Sequence, residues 1–488
     1  MTALREPTRE ETQLEFGDLD LPTVVLLTAI FVWVGWFGWL ALGRYSAFSF
    51  GAFDLGIFDQ GAWLISRGDL SPFITLRGLP LFADHSSYLL FLVAPIYLVW
   101  ADPRVLVLLA VLAPAAAVWL AYRIGIAEGL RPWVAATIGL ALLLHPAVAW
   151  TPWDAFHPET LTIPLLPASY LAARKGRFTL AVILGVLVLL AKEDAFLVVM
   201  PLAAYFWWRW PENRRAAWWL GMSAVAIAAV NLLVVLPGLS PTGELIYSGR
   251  LDGPWTSRLT MSRLSYLAVV LVPAATSLAA PRLLAVAGPA TFLNLWSSFP
   301  YQHEIRWHYT AYLLGVLAMA APVGMKRLGD RFGDRLGVGF VSEKGAVGKR
   351  LHLAVLIVVA AIGTLHLAGP DLTAKGVWAG QPADESAAMS EALSVIPDDA
   401  VVAASYLLAP HLAHRSNIYM LPNPWEEDIW GVNDTEPPPH DPSNVEWVAV
   451  QNEHAGEEVQ QIRDDLLASG WEVVATGDTV DVLTRSPG

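Results

Sequence analysis

LPTVVLLTAIFVWVGWFGWLAL, residues 21–42, followed about ten positions later by Phe53-Asp54-Leu55-Gly56-Ile57-Phe58-Asp59-Gln60, decides how this chain is read. The first stretch is uncharged and long enough to cross a bilayer, which takes about 20 apolar residues. The second then places two carboxylates at a membrane surface. An aspartate in or near lipid is costly unless it faces water, a cation or a partner, so an acid pair just outside a first span is a candidate site.

The composition agrees with the first reading. At 488 residues, 55% hydrophobic and only 15% charged, with 22 Trp, the chain is not an ordinary soluble globule but a polytopic α-helical membrane protein. The residues before the first run carry mixed charge (Arg5, Glu6, Arg9, Glu10, Glu11, Glu15), and that run is too long for an ordinary signal core, so it is read as a retained signal-anchor. There is no cysteine, which removes disulfides, thiolate catalysis and Cys-ligated metal. The net charge of −13 is unevenly spread: from Asp371 onward there are 21 acids against 4 basic residues, a local −17 that leaves +4 for the rest. Phosphate backbones repel a tail that acidic, so nucleic acid is excluded as a partner.

Span counting gives about eleven candidate transmembrane helices, near 22–42, 104–122, 132–150, 159–173, 178–191, 195–209, 215–236, 264–280, 283–298, 307–324 and 351–369. Tyr88 to Trp100 is too short for a crossing and holds Pro95 in its middle, so it reads as interfacial or re-entrant. The basic loops then fall on one side: Arg123 and Arg131; Arg174, Lys175 and Arg177; Arg209, Arg214 and Arg215; Arg282; and Lys326 through Arg350. Positive-inside bias therefore predicts a cytoplasmic N-terminal tail (1–20), a transmembrane region (21–370) with a first outer loop at 43–103, and an acidic extracytoplasmic α/β domain at 371–488. In that last part, short β-rich runs (400–404, 417–421, 445–450) precede a helix at 457–468 and a hairpin across Gly477-Asp478, while 422–442 reads as an irregular loop.

With this sidedness the polar chemistry gathers at outer helix ends. Asp54 and Asp59 either cap and solvate a short helix, as Asp commonly does, or supply a general base toward a hydroxyl and a ligand for a cation. Asp84-His85 and Asp154-Ala155-Phe156-His157-Pro158-Glu159 suit a divalent cation drawn from Asp59, His85, His157 and Glu159, unless His157 and Pro158 merely start a helix with Asp154 as its cap. Lys192-Glu193-Asp194 interrupts two apolar helices and is either a self-neutralising pair or a site for an anionic headgroup. His303-Glu304-Ile305-Arg306-Trp307-His308-Tyr309 opens a further span, where Arg306 suits a phosphate and the aromatic rings suit an interfacial belt. His411 and His414 have metal-like spacing without companions and are taken as surface residues.

The ordered set Phe-Asp-Leu-Gly-Ile-Phe-Asp-Gln-x-x-Trp at 53–63, Asp84-His85, Phe156-His157-Pro158, Lys192-Glu193-Asp194 and His308-Tyr309 resembles the membrane-protein family labelled domain of unknown function 2079. That family in turn looks like the C-type (GT-C) glycosyltransferase superfamily. The resemblance implies a GT-C-like fold, a polyprenyl-phosphate-linked sugar donor, an envelope acceptor, and a catalytic aspartate in the first outer loop: Asp54 first, Asp59 second. Lys192, Glu193, Arg306, His308 and Tyr309 are the expected substrate and phosphate contacts, with membrane lipids as the other partners. A transporter or flippase, with ionisable residues nearer the midplane on broken helices, and a non-catalytic envelope scaffold are the competing readings.

Overall fold

The structure, a computed structural model, describes residues 20–252, 258, 260–332, 347–426 and 441–485, of which 347–354 and 454 without their side chains. The expected N-terminal tail, the basic residues Arg335 and Lys344, and most of the expected 422–442 loop lie outside the described residues.

The first helix runs Leu21–Ser46, its N-terminus capped by the Asp20 carboxylate, which accepts from Thr23 N at 3.1 Å. Helices long and apolar enough to cross a membrane also run Arg104–Ala127, Pro211–Leu239 and His308–Phe332; shorter apolar helices include Pro132–Leu143, Phe178–Leu189, Phe196–Arg209, Met261–Leu271 and Val355–Ala368. Several expected spans are broken into pieces. The 132–150 span stops at Leu143 and restarts at Pro146, because proline has no N–H to donate and pushes His145 into extended backbone (ψ 129°). Pro273 likewise ends Met261–Leu271, whereas the 283–298 span is helical from Pro281 to Trp296, tightened to a 3-10 turn at Ala285–Ala287 just before Pro289. The segment 88–100 holds only the helix Leu90–Tyr97.

Burial tells which helix is central. The apolar window of His308–Phe332 is 83% buried, against 33% for Leu21–Ser46. Small residues make this possible: a Cβ on Gly324 would sit 1.9 Å from the Thr276 carbonyl, and one on Gly315 would meet Thr162 O at 3.1 Å. The consequence is functional, since the first residues of this central helix are His308 and Tyr309.

After the first helix the chain folds into a compact segment: a wound turn Ala52–Gly56, the helix Ile57–Ser66, and a small hairpin of β1 (Phe73–Ile74) and β2 (Leu79–Pro80). The C-terminal residues form a five-stranded sheet in the order β4 (Ile418–Met420), β3 (Val402–Ala404), β5 (Trp447–Gln451), β7 (Val480–Arg485), β6 (Trp471–Gly477). β3 pairs in parallel with β4 and β5, while β5, β7 and β6 are antiparallel. The helix Glu457–Ala468 stands where the sequence put it, and a further helix, Ala383–Leu393, packs on β6. This unit leans on that segment and on the turn after Trp150: Ala52 N donates to Tyr406 O at 2.8 Å, Gln381 N to Ala47 O at 2.9 Å, and Trp153 Nε1 to Val377 O at 2.8 Å.

Candidate active site

Two departures from ordinary backbone shape the site. Asp54 has φ 66° and ψ −89°, outside the helical region, inside the turn Ala52–Gly56. Ala155 has φ 68°, and together with the extended His157 that precedes Pro158 it throws Asp154 and His157 toward one another. Left-handed backbone at a non-glycine residue is costly and persists only where the surroundings hold it.

These two bends meet the start of the central helix. His157 Nε2 lies 3.0 Å from Asp54 Oδ1, and the His157 and His308 rings stack at 3.6 Å with 20° between their planes. Asp154 Oδ2 accepts from the His308 backbone N at 2.5 Å and stands 3.2 Å from its Nδ1. Burial alone works against a charge on His157, but the flanking carboxylates of Asp54 and Asp154 outweigh it and push the imidazole up to about 9. The direction favours the protonated ring beside Asp54.

The consecutive residues 192–194 divide their work. Lys192 Nζ pairs with Glu159 Oε1 at 2.7 Å, both being buried, and lies 5.4 Å from the Tyr309 ring centre. Glu193 accepts from Ser86 N at 3.2 Å and pairs with His85 Nδ1 at 2.9 Å. Asp194 accepts from Tyr312 OH at 2.7 Å. The partner of Lys192 is thus an acid from another helix end, rather than either neighbour in sequence.

A cavity of about 350 Å³ collects most of these groups: Asp54, His157, Glu159, Lys192, His308 and Tyr309 line it, with Asp84 and His85. Five polar residues that local sequence patterns do not single out join them: Arg77, Tyr247, Arg250, Tyr301 and Tyr406. Arg77 pairs with Asp84 at 3.1 Å, and Tyr247 OH donates to the same carboxylate at 2.5 Å. Although burial opposes it, Arg77 then holds Asp84 down to about 2. Arg250 sits 4.1 Å from the Tyr247 and Phe299 ring centres and donates to Tyr309 OH at 3.4 Å. A second space of about 180 Å³ adjoins the first through Asp84, His85, Lys192, Tyr247, Arg250 and Tyr309, and its remaining wall is largely aliphatic: Leu232, Leu236, Leu245, Ile246, Leu251 and Leu293.

Three expected placements differ. Asp59 does not line the cavity: it is fully buried, accepts from Tyr97 OH at 2.7 Å and pairs with His414 Nε2 at 3.0 Å. His414 and His411 are accordingly not free surface residues; His411 stacks on Phe48 at 3.9 Å and on Tyr45 at 4.4 Å. Arg306 turns from the cavity, paired with Glu304 at 2.7 Å and more than a third exposed, and borders a separate groove with Trp150 and His303. The expected cation set is also dispersed, with Asp59 on His414, His85 on Glu193 and Glu159 on Lys192. Asp154, His157 and His308 instead bring a ligand atom each within 4.8 Å of one another. Their nearly parallel rings run the nitrogen lone pairs side by side, so converging on an ion requires one ring to turn.

A helical bundle with several long apolar helices, and a cavity lined by Asp54, Asp84 and Glu159 as well as Arg77, Lys192 and Arg250 that adjoins a largely aliphatic space, is that of a polytopic membrane protein. The chain belongs to the family described as "Predicted membrane protein (DUF2079)", whose pattern it matches over residues 44–482. No curated protein matches it. Among solved structures it is similar to ArnT from Cupriavidus metallidurans, determined bound to undecaprenyl phosphate: TM-score 0.59, 14% identity, covering 95% of this chain and 98% of that one. At that identity the likeness concerns the fold alone.

Proposed function

We propose that the protein is a membrane glycosyltransferase that moves a sugar from a polyprenyl-phosphate-linked donor to an acceptor hydroxyl at the extracytoplasmic face. The observation that carries this reading is the shared cavity: an accessible carboxylate, Asp54, faces the same space as Lys192 and Arg250, and that space opens into an aliphatic annex. The one-sided distribution of basic loops along the sequence favours the outward orientation. The fold's likeness to a protein solved with undecaprenyl phosphate supports the choice of donor.

In this reading the prenyl chain lies along Leu232, Leu236 and Leu293 while its phosphate meets Lys192 and Arg250. The acceptor oxygen attacks the anomeric carbon from the Asp54 side, the bond from that carbon to the phosphate oxygen breaks, and its electron pair leaves with the lipid phosphate. The hydroxyl becomes acidic as its new bond forms, so a carboxylate suffices to take its proton. Lys192 and Arg250 offset the charge gained by the phosphate, and no step is routed through a metal ion. Attack opposite the leaving group inverts the anomeric centre.

The test is reconstitution of the full chain in proteoliposomes with radiolabelled polyprenyl-phosphate sugars and an envelope extract as acceptor. Label leaving the lipid fraction for a new product supports the reading. Label crossing the bilayer unchanged would replace it with transport.

A further inference from the structure

The cavity has two unlike halves. The half with Lys192, Tyr247, Arg250 and Tyr309 is shared with the aliphatic annex. The half with Asp54 is not; beside the polar groups Arg77, His157, Glu159 and His308 its wall is rich in aromatic rings, among them Phe53, Tyr301, Trp307 and Tyr406. Among these Tyr406 alone comes from the C-terminal unit, just after β3.

Tyr406 grips the turn that carries Asp54 in two ways. Its carbonyl accepts the Ala52 N–H at 2.8 Å, and its ring fills the space beside Gly51, where an added Cβ would lie 2.0 Å from ring Cζ. The ring centre is 6.2 Å from that of Phe53. Around this grip the unit is fastened by contacts to the segment after the first helix. Thr75 Oγ1 donates to Ile418 O at 2.7 Å and accepts from Ile418 N at 2.9 Å; Gln60 Nε2 donates to Arg415 O at 3.3 Å. The Asp59–His414 pair and the His411 stack lie in the same seam. The left-handed backbone of Asp54 is thereby over-determined from outside its own turn, which is the condition for such strain to persist.

We infer that the C-terminal unit forms the acceptor side of the site. It clamps the Asp54 turn, and it lends the Tyr406 ring as the wall against which an acceptor of carbohydrate type packs one ring face while its hydroxyl points to Asp54. A flat aromatic face suits the apolar face of such a ring, whereas the prenyl chain has its own aliphatic space. Tyr406 is then a specificity-determining residue and the seam beneath it a positioning element. The inference rests on the glycosyltransferase reading.

The experiment compares the full chain in lipid nanodiscs as wild type, Tyr406→Ala, Tyr406→Phe and Gly51→Ala, the last displacing the same ring from the opposite side. With the polyprenyl-phosphate sugar as donor and the envelope extract as acceptor, Tyr406→Ala and Gly51→Ala raise the apparent acceptor KM about tenfold while donor KM stays within about twofold, and Tyr406→Phe retains wild-type values. Hydrogen exchange in 50–58 quickens in the two altered proteins but not in 188–196. Equal changes in donor and acceptor KM, or none, overturn the acceptor wall. Should the wild type transfer no sugar, the function reading falls by itself; the exchange comparison then still decides the clamp, unchanged exchange at 50–58 rejecting it. If the Tyr406→Ala protein does not fold, Gly51→Ala decides both points in its place.

Discussion

Asp54 and His157 reach one another across the whole span of helices that separates them in sequence, Oδ1 to Nε2 at 3.0 Å. The contact joins a carboxylate on a strained turn to an imidazole held by a pre-proline bend. His157 is nearly enclosed whereas the Asp54 side chain is 43% exposed to the cavity, so the ring fixes the acid's direction and leaves its second oxygen for substrate.

This pair sets a limit at alkaline pH. His157 has a folded pKa raised to about 9 from 6.5, so its contribution to stability is complete below the unfolded value and is lost as pH rises through about 9. Thermal midpoints followed from pH 6 to 10 should fall across that window in the wild type, and His157→Gln should be less stable at pH 7 with a flatter profile. Parallel profiles for the two proteins would rule the linkage out.

Lys192 and Glu159 make a buried pair, and removing one partner strands the other's charge. Glu159→Gln should cost roughly 3–5 kcal/mol of stability, as expected when one member of a buried pair is lost. Lys192→Met with Glu159→Leu together should cost less than either change alone. Denaturation of the four proteins in one detergent measures the coupling, and additive losses would show the pair to be uncoupled.

Two arginines compete for the phosphate, and geometry separates them. Arg250 lines both cavities, whereas Arg306 pairs with Glu304 outside them. Arg250→Ala should weaken undecaprenyl phosphate binding about tenfold or more, since charge-assisted hydrogen bonds contribute about 1.5–3 kcal/mol. Arg306→Ala should change it by less than about twofold. Titration calorimetry that reverses this order would return the role to Arg306.

If Lys192 and Arg250 carry the leaving-group charge, a chelator has little to remove. Transfer in EDTA should stay within about twofold of the untreated rate. A collapse restored by added divalent cation, together with metal found in the purified protein, would move the chemistry to Asp154, His157 and His308.

The membrane character was legible from apolar run lengths, and the clustering of polar groups at helix ends from where charge interrupts those runs, because these are one-dimensional properties. Proline positions were visible too, but whether Pro146 kinks or breaks a helix depends on what receives the freed groups; here the His145 ring accepts from Ala147 N and lies 2.9 Å from Val270 O. The motif residues Asp54, His157, Lys192, His308 and Tyr309 do share a space. Asp59 does not, because the same Asp-Gln segment serves as the socket for His414, and such a partner hundreds of residues away leaves no trace in local spacing. Arg250 and Tyr406 were invisible for a related reason: neither belongs to a motif, and each reaches the cavity from an irregular segment distant in sequence from the other lining residues.

The central claim is that Asp54 takes the acceptor's proton, and turnover by Asp54→Asn tests it most directly. The expected result is a loss of about 10²–10⁴-fold in kcat, with undecaprenyl phosphate binding and the melting profile retained. Near-wild-type turnover by that variant, in a preparation shown to carry no wild-type protein, would contradict it.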